Sequence, residues 1–325
     1  MANDNAKLIK ELKSYFKNSH IKDTKMDFIL DENHGCIIRL HNYNFENKNM
    51  QLACNAFEGW ACAIYEYLLY GKGLKKPKIT LDISGPIQRE GFLNHGHLCR
   101  FLYRALRFEE QYDWFYLSEL LKPYVQEFEK FMKNSTLVNN IGKDEAGTKE
   151  KYNKENLYEE KLSRAGIMKQ LADKEGKFEF GNNPVFRQLA VGLFLGEVPD
   201  ERKKVFTGRK SAIDMWSWNE DCIEVIELKA EQKMIGLVTE LFFYCNYICD
   251  LVLKDGLFQI NKEIPNTEND RGYHYLLENE FTKVRGILLA DQFHPFNGEA
   301  SKVLDVLNDN GNAKIEYYRI TYTKE

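Results

Sequence analysis

Residues 208–229 read Gly208-Arg209-Lys210-Ser211-Ala212-Ile213-Asp214-Met215-Trp216-Ser217-Trp218-Asn219-Glu220-Asp221-Cys222-Ile223-Glu224-Val225-Ile226-Glu227-Leu228-Lys229. Two largely apolar runs flank the polar residues 219–221, whose side chains tolerate turn conformations, so the pattern predicts a β-hairpin. Side chains on a strand alternate between faces, which places Glu227 and Lys229 on the same side. Folding about the turn brings Asp214 opposite Ile226 or Glu227. Two carboxylates and one ammonium are therefore expected to converge.

This grouping of charged residues favours metal chemistry on a phosphodiester. Paired carboxylates without a thiolate or imidazole are oxygen ligands for a hard cation, Mg²⁺ or Mn²⁺. Such an ion would polarise the phosphodiester and lower the pKa of a bound water, while a neighbouring lysine orients that water or neutralises developing charge. The alternative is a surface hairpin with scattered charges, since 29% of the chain is charged. Against it, Glu227 and Lys229 interrupt an apolar run, where an ionised group is costly unless paired or metal-bound.

Asp214 followed by Glu227-x-Lys229 resembles the signature of the PD-(D/E)xK nuclease superfamily, over about residues 153–325. Ile213 stands where the nominal motif has proline. In the next predicted helix, Glu240-x-x-x-Tyr244 is similar to the Gln-x-x-x-Tyr element of some branches, with Glu in place of Gln.

The resemblance implies a role for each matching residue. Asp214 and Glu227 would be metal ligands, with the Leu228 carbonyl sharing the ion, and Lys229 would be the electrostatic or water-positioning group. Glu240 would be an outer ligand and Tyr244 a supporting residue. In this superfamily the helix before the first core strand often offers a Glu to the metal, and Glu160 is the best match. An ordinary exposed Glu at the edge of the helix face is the alternative for Glu160.

Length and composition limit the class of protein. The chain has 325 residues, enough for one large or two ordinary domains, and 43% of them are hydrophobic. The net charge of −4 does not favour binding of nucleic acid by the surface as a whole, so any such binding must use a local basic patch. Seven cysteines without paired spacing indicate reduced thiols. The N-terminus lacks an apolar signal region and no apolar run approaches about 18 residues, so we expect a cytoplasmic protein with no membrane partner.

Composition divides the chain into three segments. Residues 1–132 predict a mixed α/β domain of undetermined role, with a hairpin over 28–41, a strand over 77–83 and helices over 5–20, 50–70, 93–108 and 112–132. Residues 133–154 are polar and contain glycine, and therefore predict a linker. Residues 155–325 would form the nuclease-like domain.

The periodicity of residues 155–325 predicts an order of elements. Helix 155–173 would bury a face that includes Leu157 and Glu160. A strand over 184–194 precedes the hairpin, and helix 233–253, strand 284–290, helix 298–308 and strand 313–322 follow it. This order matches the αβββαβ core of the resembled superfamily. The expected fold class is α/β (α+β), with a mixed central sheet flanked by helices.

Two sets of basic residues could contact phosphates. The densest patch lies just ahead of Asp214, and we assign to backbone contact the residues Arg187, Arg202, Lys203, Lys204, Arg209 and Lys210. A solvated loop is the alternative for this patch. Arg100, Arg104 and Arg107 share one helix face and could hold phosphates, although a solvated face paired with Glu109 and Glu110 is favoured.

The charged residues and the resemblance together imply a Mg²⁺-dependent (or Mn²⁺-dependent) nuclease that acts on DNA rather than RNA, more specifically an endonuclease. Two alternatives remain open. One is a nucleic-acid-binding protein whose nuclease core has lost activity. The other is a regulatory protein that acts through protein contacts, such as a homodimer.

Overall fold

The computed structural model describes residues 2–17, 25–31, 35–140, 154–164, 167–171, 178–196, 198, 200–206, 211–230, 234–262 and 271–322. In these ranges, no helix is both long enough and apolar enough to cross a bilayer. All seven cysteines are free thiols.

The first half of the chain combines a small sheet with helices. Its elements are α1 (Ala2–Tyr15), β1 (Asp27–Asp31), β2 (Gly35–Leu40), α2 (Asn42–Asn47), α3 (Phe57–Glu66), β3 (Lys78–Ile83), α4 (Gly96–Gln111), β4 (Phe115–Leu117) and α5 (Lys122–Lys133). The sheet has the order β1-β2-β3-β4, and only β1 and β2 are antiparallel, with Phe28 opposite Ile38. The hairpin predicted over 28–41 is therefore confirmed. The helix predicted over 112–132 is wrong in its first part, which contains β4.

The second half contributes the remaining elements. They are β5 (Leu137–Asn140), α6 (Lys154–Leu162), β6 (Phe186–Ala190), β7 (Gly192–Leu195), β8 (Ala212–Asn219), β9 (Cys222–Lys229), α7 (Gly236–Val252), β10 (Phe258–Gln259), α8 (Tyr273–Glu278), β11 (Lys283–Ala290), α9 (Val303–Asn308) and β12 (Ile315–Thr321). Five of these strands form a sheet of order β12-β11-β9-β8-β6. The pairs β6–β8 and β8–β9 are antiparallel, and the pairs β9–β11 and β11–β12 are parallel. Mixed sheets with flanking helices confirm the α+β class.

The predicted hairpin is present as β8 and β9. Its register pairs Met215 with Ile226 and Asn219 with Cys222, so the turn is Glu220-Asp221. Glu220 has φ of +55°, a conformation that a turn position requires. Strand β9 lies between β8 and β11, and all of its residues are buried. This position removes Glu227 and Lys229 from solvent.

Three predicted elements have different boundaries in the structure. The strand predicted over 184–194 is divided at Val191, because β6 stays in the central sheet while β7 joins a separate sheet of order β10-β5-β7. Strand β5 falls inside the predicted linker, and so 137–140 are not a linker. The helix predicted over 155–173 ends at Leu162, and the one predicted over 298–308 begins at Val303.

A common hydrophobic core joins the two halves of the chain. Helix α7 packs on β9 and β11, and α3 and α4 pack on α7. Phe108 of α4 lies 5.1 Å from Phe242 of α7 between ring centroids, and both are fully buried. A smaller cluster covers the opposite face of the sheet and includes Phe178 and Phe180. The independence of the predicted domains 1–132 and 155–325 stays a prediction.

Candidate metal and phosphodiester site

The hairpin brings the three core residues of the site together. Lys229 Nζ lies 2.8 Å from Glu227 Oε1 and 3.9 Å from Asp214 Oδ2. The backbone amide of Leu228 donates a hydrogen bond of 2.9 Å to Asp214 Oδ2, which fixes that carboxylate across the hairpin. The geometry follows from strand alternation, because Glu227 and Lys229 both face α7 while Leu228 packs in the cluster on the other side of the sheet.

Helix α7 supplies a third carboxylate and a phenol. Lys229 Nζ lies 3.6 Å from Glu240 Oε2, and Tyr244, one turn further along the same helix, lines the same cavity. Residues four apart on a helix share a face, which is why both reach the sheet at the same place. The structure thus brings all five residues of the predicted catalytic set together.

Burial and mutual repulsion dominate the electrostatics of the acids. Burial raises the pKa of Asp214 well above its ordinary value, and the neighbouring Glu227 raises it further. Burial likewise raises the pKa of Glu227, although Lys229 lowers it and Glu240 raises it again. Burial, Glu240 and Glu227 raise the pKa of Tyr244, so its phenol keeps its proton. Three carboxyl groups therefore share one ammonium, and in the absence of another cation burial disfavours their ionised forms.

These side chains line a polar cavity of about 220 Å³. Its wall is built from both halves of the chain, since Asn49, Gln51 and Arg100 line it together with Gln188 and Ser211. Gln188 has φ of +58°, and the register places it opposite Asp214, between the pairs Arg187–Met215 and Leu189–Ile213. The ladder is interrupted at this position without a change of register. Sequence reasoning did not assign Arg100, Gln188 or Ser211 to the site.

The donor set fits a hard divalent cation. Glu227 Oε2 is buried and accepts no hydrogen bond from the described residues. Within those residues, no three His, Cys, Asp or Glu side chains already surround one ion-sized point. Mg²⁺ does not require three such side chains, because proteins commonly bind it through one or two carboxylates, and water and substrate phosphates complete its coordination shell. Asp214, Glu227 and the Leu228 carbonyl match that requirement.

Glu160 is not part of the site, contrary to the prediction. Its side chain is 54% exposed and pairs with Arg164 at 3.3 Å. The preceding residue, Glu159, is buried, and its Oε2 accepts a hydrogen bond of 2.9 Å from Gln188. Leu157, expected on the buried face, is also exposed. The predicted face of α6 was therefore rotated by about one residue, and Glu159 holds the inner position.

The predicted phosphate-contacting residues fall into three groups. Arg187 is engaged inside the fold, where it pairs with Glu159 at 3.4 Å. Arg202 is 89% exposed and pairs with Asp200, and Lys203 and Lys204 are partly exposed beside it. Arg209 and Lys210 lie outside the described residues. They immediately precede Ser211, which lines the cavity.

Arg100 and Arg104 of the arginine stripe on α4 are buried, so the interpretation as a solvated face is wrong for these two residues. Arg107 is partly exposed and pairs with Glu110 at 2.7 Å, as that interpretation predicted. Arg104 donates to both carboxylate oxygens of Glu58 at 2.6 and 2.8 Å. Arg107 pairs with Asp250 of α7 at 2.6 Å. Arg100 is 5% exposed and lines the cavity.

Comparisons of the chain with protein-family models, with curated protein sequences and with solved structures found no match. The function is therefore inferred from the fold and from the geometry and chemistry of the site.

Proposed function

We propose that the chain is a divalent-metal-dependent nuclease that hydrolyses phosphodiester bonds in DNA, as an endonuclease. The observation that carries this proposal is the convergence of Asp214, Glu227 and Lys229 in one polar cavity. Two acids and an amine, separated by up to 15 residues along the chain, meet only because the hairpin pairs β8 with β9.

The order of elements around the site supports the same proposal. Helix α6, strands β6, β8 and β9, helix α7 and strand β11 have the chain order of the αβββαβ core of the PD-(D/E)xK superfamily, with β7, β10 and α8 inserted between them. The two acids lie on the second and third of these strands, which are the positions that the resembled motif uses. The placement of Glu240 and Tyr244 on the following helix adds to the likeness.

Each group in the cavity has a defined chemical part in the proposed reaction. Asp214, Glu227 and the Leu228 carbonyl would hold Mg²⁺ or Mn²⁺, which polarises the phosphodiester and lowers the pKa of a bound water. Lys229 would orient the attacking water and balance the charge that develops on the phosphorane. Its contact of 3.6 Å with Glu240 holds the ammonium in place. Tyr244 retains its proton and can donate a hydrogen bond.

Incubation with plasmid DNA, single-stranded DNA and RNA, each with Mn²⁺ or with EDTA, tests the proposal. We expect cleavage of DNA with Mn²⁺, none with EDTA, and a loss of about 100-fold or more in Lys229→Ala. Glu160→Gln is the matched control, because Glu160 is exposed and outside the cavity. Cleavage that persists in EDTA, or that Lys229→Ala leaves undiminished, would overturn the mechanism. Nucleic-acid binding without cleavage would instead indicate an inactive binding protein.

A further inference from the structure

The three arginines on one face of α4 have different partners. Arg104 forms a bidentate pair with Glu58, and it also donates to the Asn55 carbonyl at 2.7 Å. Arg107 donates to both carboxylate oxygens of Asp250. The buried Arg104 and the partly buried Arg107 are therefore each balanced by a carboxylate.

Arg100 is also buried, and none of the described carboxylates forms such a pair with it. Its Nη1 donates a hydrogen bond of 2.8 Å to Ser211 Oγ, and its Nη2 lies 3.4 Å from His97 Nδ1. Its Nε is buried and has no hydrogen-bond partner among the described residues, and none of their carboxylates pairs with its guanidinium within 4 Å. The side chain lines the cavity that holds Asp214, Glu227 and Lys229.

The groups around Arg100 keep it charged and in place. Burial lowers the pKa of Arg100 to about 10, while Tyr244 and Glu240 act in the opposite direction, so the guanidinium remains positive at neutral pH. Burial and Arg100 itself lower the pKa of His97, which leaves its ring neutral and able to accept a hydrogen bond. Ser211 restrains the other edge of the guanidinium. A cation that none of the described carboxylates contacts, fixed at the wall of a polar cavity, is suited to bind an anion.

We infer that Arg100 binds the non-bridging oxygens of the scissile phosphate, opposite the carboxylates that would hold the metal. This inference rests on the proposed function and names the residue that recognises the reacting group. Guanidinium donors match phosphate oxygens in spacing and direction, which a lysine ammonium does not. Since α4 lies in the first half of the chain, that half contributes a binding residue to the site.

The test measures phosphate binding and cleavage separately. Inorganic phosphate is titrated calorimetrically, with Mg²⁺ present, into the wild-type chain, Arg100→Gln, Arg100→Lys and Arg107→Gln. Arg107→Gln is the matched control, because it removes a partly buried arginine from the same helix face that is not among the residues lining the cavity. We expect Arg100→Gln to weaken phosphate binding about 10- to 100-fold, as for loss of a charge-assisted hydrogen bond, and Arg100→Lys to recover part of it. The Arg107→Gln control should bind phosphate as the wild type does.

Cleavage of single-stranded DNA by the same variants completes the test. We expect Arg100→Gln to reduce kcat/KM while Mn²⁺ binding stays at the wild-type level. One outcome is that the wild-type chain cleaves DNA and that Arg100→Gln has the same phosphate affinity and the same kcat/KM as the wild type. This outcome would overturn the role of Arg100 and leave the nuclease proposal standing. Phosphate binding that depends on Arg100 in a chain that cleaves no nucleic acid would support the anion site and overturn the nuclease.

Discussion

The backbone amide of Leu228 donates a 2.9 Å hydrogen bond to the carboxylate of Asp214. Leu228 lies between Glu227 and Lys229, so this hydrogen bond connects the acid of β8 to the segment of β9 that carries both candidate site residues. The site is therefore positioned by strand pairing in a central sheet, a rigid support for groups that must be held at fixed distances.

Substitution of Lys229 by alanine should destabilise the metal-free chain. Its ammonium lies within 4 Å of three carboxylates, and its side chain is 8% exposed. Removing one partner of a buried ion pair typically costs about 3–5 kcal/mol. We expect the melting temperature in EDTA to fall, and Mn²⁺ to raise it more than in the wild type because the variant lacks a competing cation. Arg202→Ala, an exposed charge, is the control. An unchanged melting temperature would contradict the assigned charge balance.

Substitution by alanine should lower the free energy of unfolding much more at Glu159 than at Glu160. Glu159→Ala removes the buried acceptor of Gln188 and the partner of Arg187, so we expect a loss of about 3 kcal/mol or more in the free energy of unfolding. Glu160→Ala breaks only an exposed pair and should change that free energy by less than about 1 kcal/mol. Urea unfolding measures both. A larger loss in Glu160→Ala than in Glu159→Ala would mean that α6 has the orientation predicted from the sequence, and equal losses would contradict the difference in burial.

The difference between Glu159 and Glu160 shows that the rotation of α6 about its axis could not be predicted from the sequence. Helix α6 has only nine residues, too few for apolar spacing to fix its rotation. In β8 and β9, by contrast, the alternation of side chains determined which residues share a face, because a strand has only two faces and the polar turn sets the register of the hairpin. Glu227 and Lys229 were therefore identified correctly as neighbours on one face.

The role of Arg100 could not be read from the sequence for a different reason. An arginine every three or four residues has the same pattern whether the helix face meets water or a second helix that carries acids. The partner of Arg107, Asp250, lies 143 residues away along the chain. Only the packing of α4 on α7 shows that this face is buried and that its first arginine reaches the cavity.

The buried network around Arg104 should contribute strongly to stability. Glu58 accepts from Arg104 and, at 2.9 Å, from Thr239 of α7, so the network links the two halves of the chain. Arg104→Met leaves Glu58 buried without its cation, and we expect a loss of about 3–5 kcal/mol. Thr239→Val removes one hydrogen bond and should cost about 1–3 kcal/mol. Guanidinium chloride unfolding distinguishes the two values, and a near-neutral Arg104→Met would contradict the network.

Glu224 should make stability depend on pH. It is fully buried on the face of β9 opposite Glu227, and neither carboxylate oxygen has a hydrogen-bond partner among the described residues. Burial raises its pKa from 4.5 to about 7, although Arg285 lowers it. Between about pH 4.5 and pH 7, the folded chain therefore keeps a proton on Glu224 that the unfolded chain releases. The free energy of unfolding consequently falls as the pH rises across this range.

Glu224→Gln should remove this dependence. We expect the variant to match the wild type at about pH 5 and to exceed it by about 2–3 kcal/mol at about pH 8. Glu316→Gln is the control, because Glu316 also lies beside Arg285 but is 47% exposed. The measurement is urea unfolding at both pH values. A difference between variant and wild type that stays constant with pH would show that Glu224 does not titrate in this window.

Calorimetric titration of Mn²⁺ into the wild-type chain and into Asp214→Asn tests directly whether Asp214 and Glu227 bind a divalent cation. An asparagine oxygen can still accept the hydrogen bond from Leu228, so the variant should keep the hairpin and lose only the charge. We predict saturable Mn²⁺ binding by the wild type and by Glu160→Gln, and no measurable binding by Asp214→Asn. Equal Mn²⁺ affinity in the wild type and Asp214→Asn would contradict the account.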